Sequence, residues 1–143
     1  MLHDENTVVI DRPAEDVYDF LVDGLNGPEW RTGIRSIALR SGTIGAVGTE
    51  YAQELAGPGG RSVAGDYRIT RADRPSRIEF EVIAGPLRPK GTYTLDAEGG
   101  GTSVTFALDA QPSGFMRLMS GTIRKTMAAE VGALGALKQV LES

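Results

Sequence analysis

Cysteine is absent from the 143-residue sequence, and histidine occurs once, as His3. Without cysteine there is no disulfide framework, no thiolate nucleophile and no Cys-based metal site; with a lone histidine near a chain terminus, zinc sites and His-based catalytic triads are excluded too. No metal and no metal or nucleotide cofactor is expected. Long apolar runs are also missing: nothing approaches the roughly 20 apolar residues that a membrane span needs. Met1-Leu2-His3-Asp4-Glu5 has neither the basic start nor the apolar core of a signal peptide, so a cytoplasmic location is expected. Finally, there is no basic excess. Fifteen Lys and Arg against 19 Asp and Glu, mixed throughout, leave a formal charge of −4, which argues against a phosphate-tracking surface, and nucleic acid is not an expected partner.

What is present is a chain of one-domain size, residues 1–143, with 41% hydrophobic residues and material for one sizeable core. Its organising stretch is the last thirty residues. Pro112 to Leu141 reads as one long amphipathic helix: at about 100° per residue, Met116, Met119, Ile123, Met127, Val131, Leu134, Leu137 and Leu141 share a stripe, with Lys125, Gly132, Ala136 and Gln139 opposite. The N-terminal half of the stripe, built from Phe115, Met116, Met119, Ile123 and Met127, is rich in methionine, which adapts to irregular gaps; the C-terminal half is Val and Leu, which specify tight packing. The second half therefore reads as a clamp on a sheet and the first as the wall of a cavity, the competing reading being an ordinary core that uses Met. Ser120-Gly121 interrupts the first half, and a kink or break is expected there. It would separate Phe115 to Met119, as a movable lip, from a continuous helix running to Leu141; a tolerated surface glycine is the alternative.

Upstream, Asn6 to Asp11 reads as a strand closed by Pro13. A short helix follows with Val17, Phe20 and Leu21 on one face, entered through Asp11-Arg12-Pro13-Ala14-Glu15-Asp16. Gly24 and Gly27-Pro28 break it, and Pro28-Glu29-Trp30 begins a second short turn. From Ile34 the period switches to two. Ile37 and Leu39, then Tyr51, Gln53 and Leu55, then Val63, Tyr67 and Ile69, then Ile78, Phe80 and Val82, then Tyr93 and Leu95, then Val104, Phe106 and Leu108 mark six half-buried strands. Gly57-Pro58-Gly59-Gly60, Asp73-Arg74-Pro75, Gly85-Pro86-Leu87 and Gly99-Gly100-Gly101 have the spacing of short meander turns. The expected class is α+β: a seven-stranded curved antiparallel sheet, in the order β-α-α-β6-α, wrapped around the long C-terminal helix.

That order, together with the segments Ile10-Asp11-Arg12-Pro13-Ala14-Glu15-Asp16-Val17-Tyr18, Pro28-Glu29-Trp30, Gly48-Thr49-Glu50-Tyr51, Arg77-Ile78-Glu79-Phe80-Glu81 and Gly100-Gly101-Thr102-Ser103-Val104, resembles the START/Bet v 1 helix-grip superfamily. More narrowly, it is similar to the polyketide cyclase/dehydrase and lipid-transport (SRPBCC) branch. The resemblance covers nearly the whole chain and implies a central cavity for hydrophobic small molecules. It does not imply an enzyme, because fold alone does not set function.

Within such a fold, Trp30 is placed near the cavity rim, where its ring can stack on a flat ligand or simply seal the helix–sheet junction. Tyr51, Gln53, Tyr67, Phe80, Tyr93 and Phe106 should point to the concave face and, with Met116, Met119, Ile123 and Met127, line the site. Tyr51, Gln53, Tyr67 and Tyr93 would supply its polar groups, unless their hydroxyls reach the barrel rim or backbone carbonyls. Glu130 falls about 40° from the stripe centre. In an apolar setting its carboxyl would have a raised pKa and could exchange a proton; paired with Lys138, Lys125 or an inward-tilted arginine it would not. Tyr51, Tyr67 and Glu130 are thus the weak catalytic candidates. Glu50/Glu54 and Glu79/Glu81 lie opposite the apolar face and are assigned no chemistry, while Arg61, Arg88 and Lys90 come near loops that would surround the cavity entrance. The leading expectation is binding, carriage or sequestration of a lipid, polyketide or isoprenoid-like molecule, by a monomer or homodimer. Burying roughly 300 Å² of apolar ligand surface would gross about 7 kcal/mol before ordering costs. The alternatives are a polyketide cyclase or dehydratase and a protein-interaction module with a closed core.

Overall fold

The period-two segments form strands. In the computed structural model, which describes residues 1–85 and 87–143, the chain runs β1 (Leu2–Ile10), α1 (Ala14–Val22), a 3-10 turn (Gly24–Glu29), β2 (Ile34–Ser41), β3 (Glu50–Ala56), a 3-10 turn (Pro58–Gly60), β4 (Ser62–Ala64), β5 (Tyr67–Asp73), β6 (Arg77–Val82), β7 (Lys90–Glu98), β8 (Gly101–Ala110), a 3-10 turn (Gly114–Met119), α2 (Ser120–Gly132) and α3 (Leu134–Glu142). Pro86, within the expected Gly85-Pro86-Leu87 connection, lies outside the described residues. All pairings are antiparallel and the sheet order is β1-β8-β7-β6-β5-β3-β2, with β4 on β3. Strands β1 and β2 are thus consecutive in sequence but sit on opposite edges. The α1 bracket must cross between them, and it touches β7 and β8 while the first 3-10 turn touches β2.

The C-terminal helices grip the concave face. Ile123, Met127, Val131, Leu134 and Leu137 are buried there, with α2 against β1 and β8 and α3 against β1. The clamp reading of the C-terminal half has a polar component as well. Lys138 Nζ donates to the Val9 carbonyl (2.6 Å) and Arg12 Nε to the Leu141 carbonyl (2.6 Å), while the Asp11 N–H donates to Glu142 Oε2 (2.7 Å).

Four expectations need correction. The single helix from Pro112 to Leu141 is three segments. The first boundary falls at Met119/Ser120, setting off the expected short segment that ends at Met119, because Gly114–Met119 winds as a 3-10 turn and Ser120 Oγ bonds back to the Arg117 carbonyl (2.8 Å). The expected continuation to Leu141 is broken again at Ala133, next to Gly132, where Asn6 Nδ2 of β1 takes the Val131 carbonyl (3.1 Å). Second, Phe115 is not in the buried stripe: it is 70% exposed, since three residues per turn rotate it away from the side that Met116 and Met119 turn to the core. Third, the six downstream strands are seven. The run 63–70 divides at Gly65-Asp66, where the Gly65 N–H donates to the Gln53 carbonyl (2.8 Å) and the Asp66 carboxylate accepts from the Gln53 N–H (3.1 Å). Fourth, β2 is less buried than its alternation suggests, with Leu39 41% exposed, because it is the sheet edge farthest from β1 and its helices.

The outer face carries a row of alternating charge across the whole sheet. His3 lies opposite Asp109, Asp109 opposite Lys90, Lys90 opposite Glu81, Glu81 opposite Arg68 and Arg68 opposite Glu50, which Arg40 approaches to 3.9 Å. Opposite charges on facing positions are mildly favourable, and like charges would repel, so the row also pins register. Glu50, Glu79 and Glu81 are therefore ion-paired outer residues, with Arg68 on Glu50 (2.8 Å) and Glu81 (3.4 Å), and Arg77 on Glu79 (2.6 Å).

Candidate ligand-binding site

Alternation in β3, β5, β6, β7 and β8 places Tyr51, Tyr67, Phe80, Tyr93 and Phe106 on the concave face, where they form a continuous ring array. Centroids are 5.1 Å apart for Tyr51–Tyr67, 5.4 Å for Tyr67–Phe80, 6.0 Å for Phe80–Tyr93 and 4.5 Å for Tyr93–Phe106. Trp30 is 4% exposed and meets Tyr93 and Phe106 edge-on, each at 6.3 Å, so it stands at the end of the array. Two glycines make room for the rings. A Cβ on Gly91 would collide with the Phe80 ring, and one on Gly24 with the Tyr67 hydroxyl and the Tyr51 ring.

The array has one ionic corner, formed by Arg31 and Glu130. Arg31 Nε donates to Glu130 Oε2 at 2.8 Å, with the two side chains only 15% and 19% exposed, and Arg31 Nη1 donates to Gln53 Oε1 at 3.3 Å. Gln53 is held from its other end by Nε2 donating to the Gly65 carbonyl at 3.1 Å. Glu130 thus looks inward, and an arginine is its partner; Lys138 pairs with Glu142 instead (2.7 Å). Arg31 is the residue of this corner that the sequence did not single out. It follows a 3-10 turn, where no periodicity indicates the direction of a side chain. The only signal available was indirect: an inward carboxylate needs a cation.

The three array tyrosines differ in how their hydroxyls are engaged. Tyr51 donates to the Val22 carbonyl at 3.3 Å. For Tyr67 and Tyr93 the described residues provide no hydrogen bond, and burial pushes both phenols well above the ordinary range. The Arg31 guanidinium opposes that rise for both, and the nearby Glu130 carboxylate adds to it for Tyr93. For Arg31 itself desolvation weakens the charged form, but the Glu130 carboxylate, together with the neighbouring Tyr93 and Tyr67, outweighs it and the pKa is raised.

Of the remaining sequence candidates, Ile123 and Met127 are buried, and Met116 and Met119 pack against the core half-buried. Two clefts lie outside the array. One of about 620 Å³, on the outer face, is lined by Arg40, Glu50, Arg68, Glu81 and Arg88 with Val82 and Ile83; the other, about 320 Å³, lies between β1 and α2 around Leu2, Asp4, Arg124 and Met127. Among the described residues no cluster of His, Asp or Glu suits a metal ion. Arg88 thus belongs to the outer cleft, and Lys90 to the outer charge row.

A family profile described as polyketide cyclase/dehydrase and lipid transport matches residues 1–142. The chain belongs to that family. Solved structures agree on the fold of this family member. TTHA0849 from Thermus thermophilus is 21% identical, with 96% of this chain and 95% of that one covered and a TM-score of 0.79. A START superfamily protein from Mycobacterium smegmatis is 15% identical over 98% of this chain and 97% of that one, TM-score 0.78. BexL, a di-domain ARO/CYC from the BE-7585A biosynthetic pathway, is 19% identical over 99% of this chain and 50% of its own, TM-score 0.73. No curated protein matches the chain at a significant level. The family member's curved antiparallel sheet around its C-terminal helices is the helix-grip fold, and among the described residues no helix is long and apolar enough to cross a membrane.

Proposed function

We propose that the protein binds and carries a hydrophobic or amphipathic small molecule, of lipid, polyketide or isoprenoid-like chemistry, between the concave ring array and the Gly114–Met119 turn. The observation that carries this reading is the pairing of apolar rings with two interior phenol groups, Tyr67 and Tyr93, left without partners among the described residues beside the Arg31–Glu130 corner. A phenol hydroxyl that makes no hydrogen bond with the described residues is free to donate one to a ligand oxygen. Because the rings touch one another, uptake must part them, and the half-buried Met116 and Met119 are the adaptable side chains at that boundary. The cyclase or dehydratase reading receives less support from the same groups. A phenol whose pKa is raised by burial keeps its proton at neutral pH and acts as a hydrogen-bond donor, and the Glu130 carboxylate is committed to Arg31.

The test uses the single tryptophan, which lies in the array. Titration with oleate, farnesol and the aromatic polyketide naringenin should change Trp30 emission saturably for at least one probe, in the micromolar range. A Tyr67→Phe/Tyr93→Phe double variant keeps the rings and removes both donors. It should weaken the carbonyl-bearing naringenin about tenfold, at roughly 0.5–1.5 kcal/mol per hydrogen bond, and spare farnesol more. No saturable response to any of the three would refute the reading.

A further inference from the structure

The Gly114–Met119 turn has an outer side that the ring array does not use. In a 3-10 turn, residues three apart eclipse one another, so Phe115 and Leu118 share one side while Met116 and Met119 share the side facing the core. Phe115 is 70% and Leu118 86% exposed; with Met1 they are the most exposed large apolar side chains among the described residues. Charge is distributed just as unevenly. From Ala110 to Ala129 there is no Asp or Glu, whereas Arg117, Arg124 and Lys125 all fall there, in a chain whose formal charge is −4. None of those three cations forms an ion pair with a described residue, although most other arginines of the protein do.

We infer that this turn and the start of α2 dock on an anionic lipid surface, with Phe115 and Leu118 inserted at headgroup depth and Arg117, Arg124 and Lys125 against lipid phosphates and carboxylates. Two exposed apolar tips, with Arg117 between them and Arg124 and Lys125 following in the sequence, match the chemistry of such an interface, where apolar contact and headgroup attraction add. A second copy of the chain fits less well. Two tips bury far less than the roughly 800 Å² per partner of a stable interface, and an acidic protein does not gain from self-association beyond this one patch. The inference deepens the carriage reading and rests on it for its purpose: the docked turn is the one whose other side, through Met116 and Met119, packs half-buried against the core, so docking would loosen that contact and open the interior towards the bilayer that supplies or receives the ligand.

The test is co-sedimentation of the whole protein with phosphatidylcholine vesicles, with and without about one-third phosphatidylserine, at low and raised salt. Binding is expected only with phosphatidylserine, weakening as salt rises. Phe115→Ser/Leu118→Ser should weaken it at least tenfold, and Arg124→Gln/Lys125→Gln by about fivefold per charge removed. These side chains are exposed, so circular dichroism and the farnesol response of Trp30 in solution should not change. Equal binding to both vesicle types, binding to neither, wild-type vesicle affinity in the Phe115/Leu118 variant, or mass that rises with concentration while vesicles are ignored would each overturn the inference. The two readings fail separately: absence of a saturable response to oleate, farnesol and naringenin alike, with vesicle binding intact, overturns carriage alone.

Discussion

Replacing Glu130 with Leu should be among the most damaging single changes in this protein, and its size follows from the geometry. The Arg31–Glu130 pair is joined at 2.8 Å with side chains 15% and 19% exposed, so both charges are largely out of water. Removing one partner of a buried pair leaves an uncompensated charge and costs about 3–5 kcal/mol. The residual exposure puts the expected loss near the lower end, about 3 kcal/mol. For a chain of this size that corresponds to a Tm drop of roughly 10 °C. The double variant Arg31→Met/Glu130→Leu removes both charges and fills the space with apolar atoms, so it should return to within about 1 kcal/mol of the wild type. Urea unfolding of the four proteins of this cycle gives the coupling directly. A loss below about 1 kcal/mol for Glu130→Leu, the value of a solvent-exposed pair, would mean that the corner is wet and would refute the description of the interior as a largely dry aromatic site with one ionic anchor.

Three further outcomes follow from the same structure. All four tyrosines, Tyr18, Tyr51, Tyr67 and Tyr93, have pKa values raised chiefly by burial. A raised phenol stabilises the fold fully below its unfolded value near pH 10 and loses that contribution as pH climbs towards the folded value. Phenolate absorbance should therefore appear together with loss of secondary structure, and a separate tyrosine step at ordinary pKa would contradict the burial. His3 is held between Asp109 (2.6 Å) and Glu5 (2.8 Å), which raise its pKa. The pair's contribution is present below about pH 6.5 and is lost as pH rises through the folded value, so the single imidazole resonance should titrate above about 6.5 and move down in Asp109→Asn. No movement would remove the Asp109 contact. Gly121 lies in the first turn of α2, exposed, with nothing within 4 Å of the position that an added Cβ would take. Gly121→Ala should raise stability by up to about 1 kcal/mol in thermal unfolding and slow farnesol exchange monitored at Trp30; unchanged exchange would detach the turn from ligand uptake.

Local periodicity was enough to identify the strand segments and most of the inward faces of this protein. A side-chain period of two on half-buried strands names the inward set, and Tyr51, Gln53, Tyr67, Tyr93 and Phe106 are buried while Phe80 packs against the core, as the alternation requires. The helical stripe likewise named Ile123, Met127, Val131, Leu134 and Leu137, because each of those faces is set by neighbours within a few residues. What tertiary structure decided are the contacts between segments far apart in the chain. The break at Ala133 adjoins a carbonyl bonded by Asn6, 125 residues away in sequence from Val131, and nothing in the helical pattern carries that information. The partner of Glu130 is 99 residues distant, on a turn without periodicity, and fifteen Lys and Arg compete for the role. Phe115 was placed in the buried stripe by a rotation of about 100° per residue, whereas the chain there turns by about 120°. That difference carries it off the buried face and into solvent.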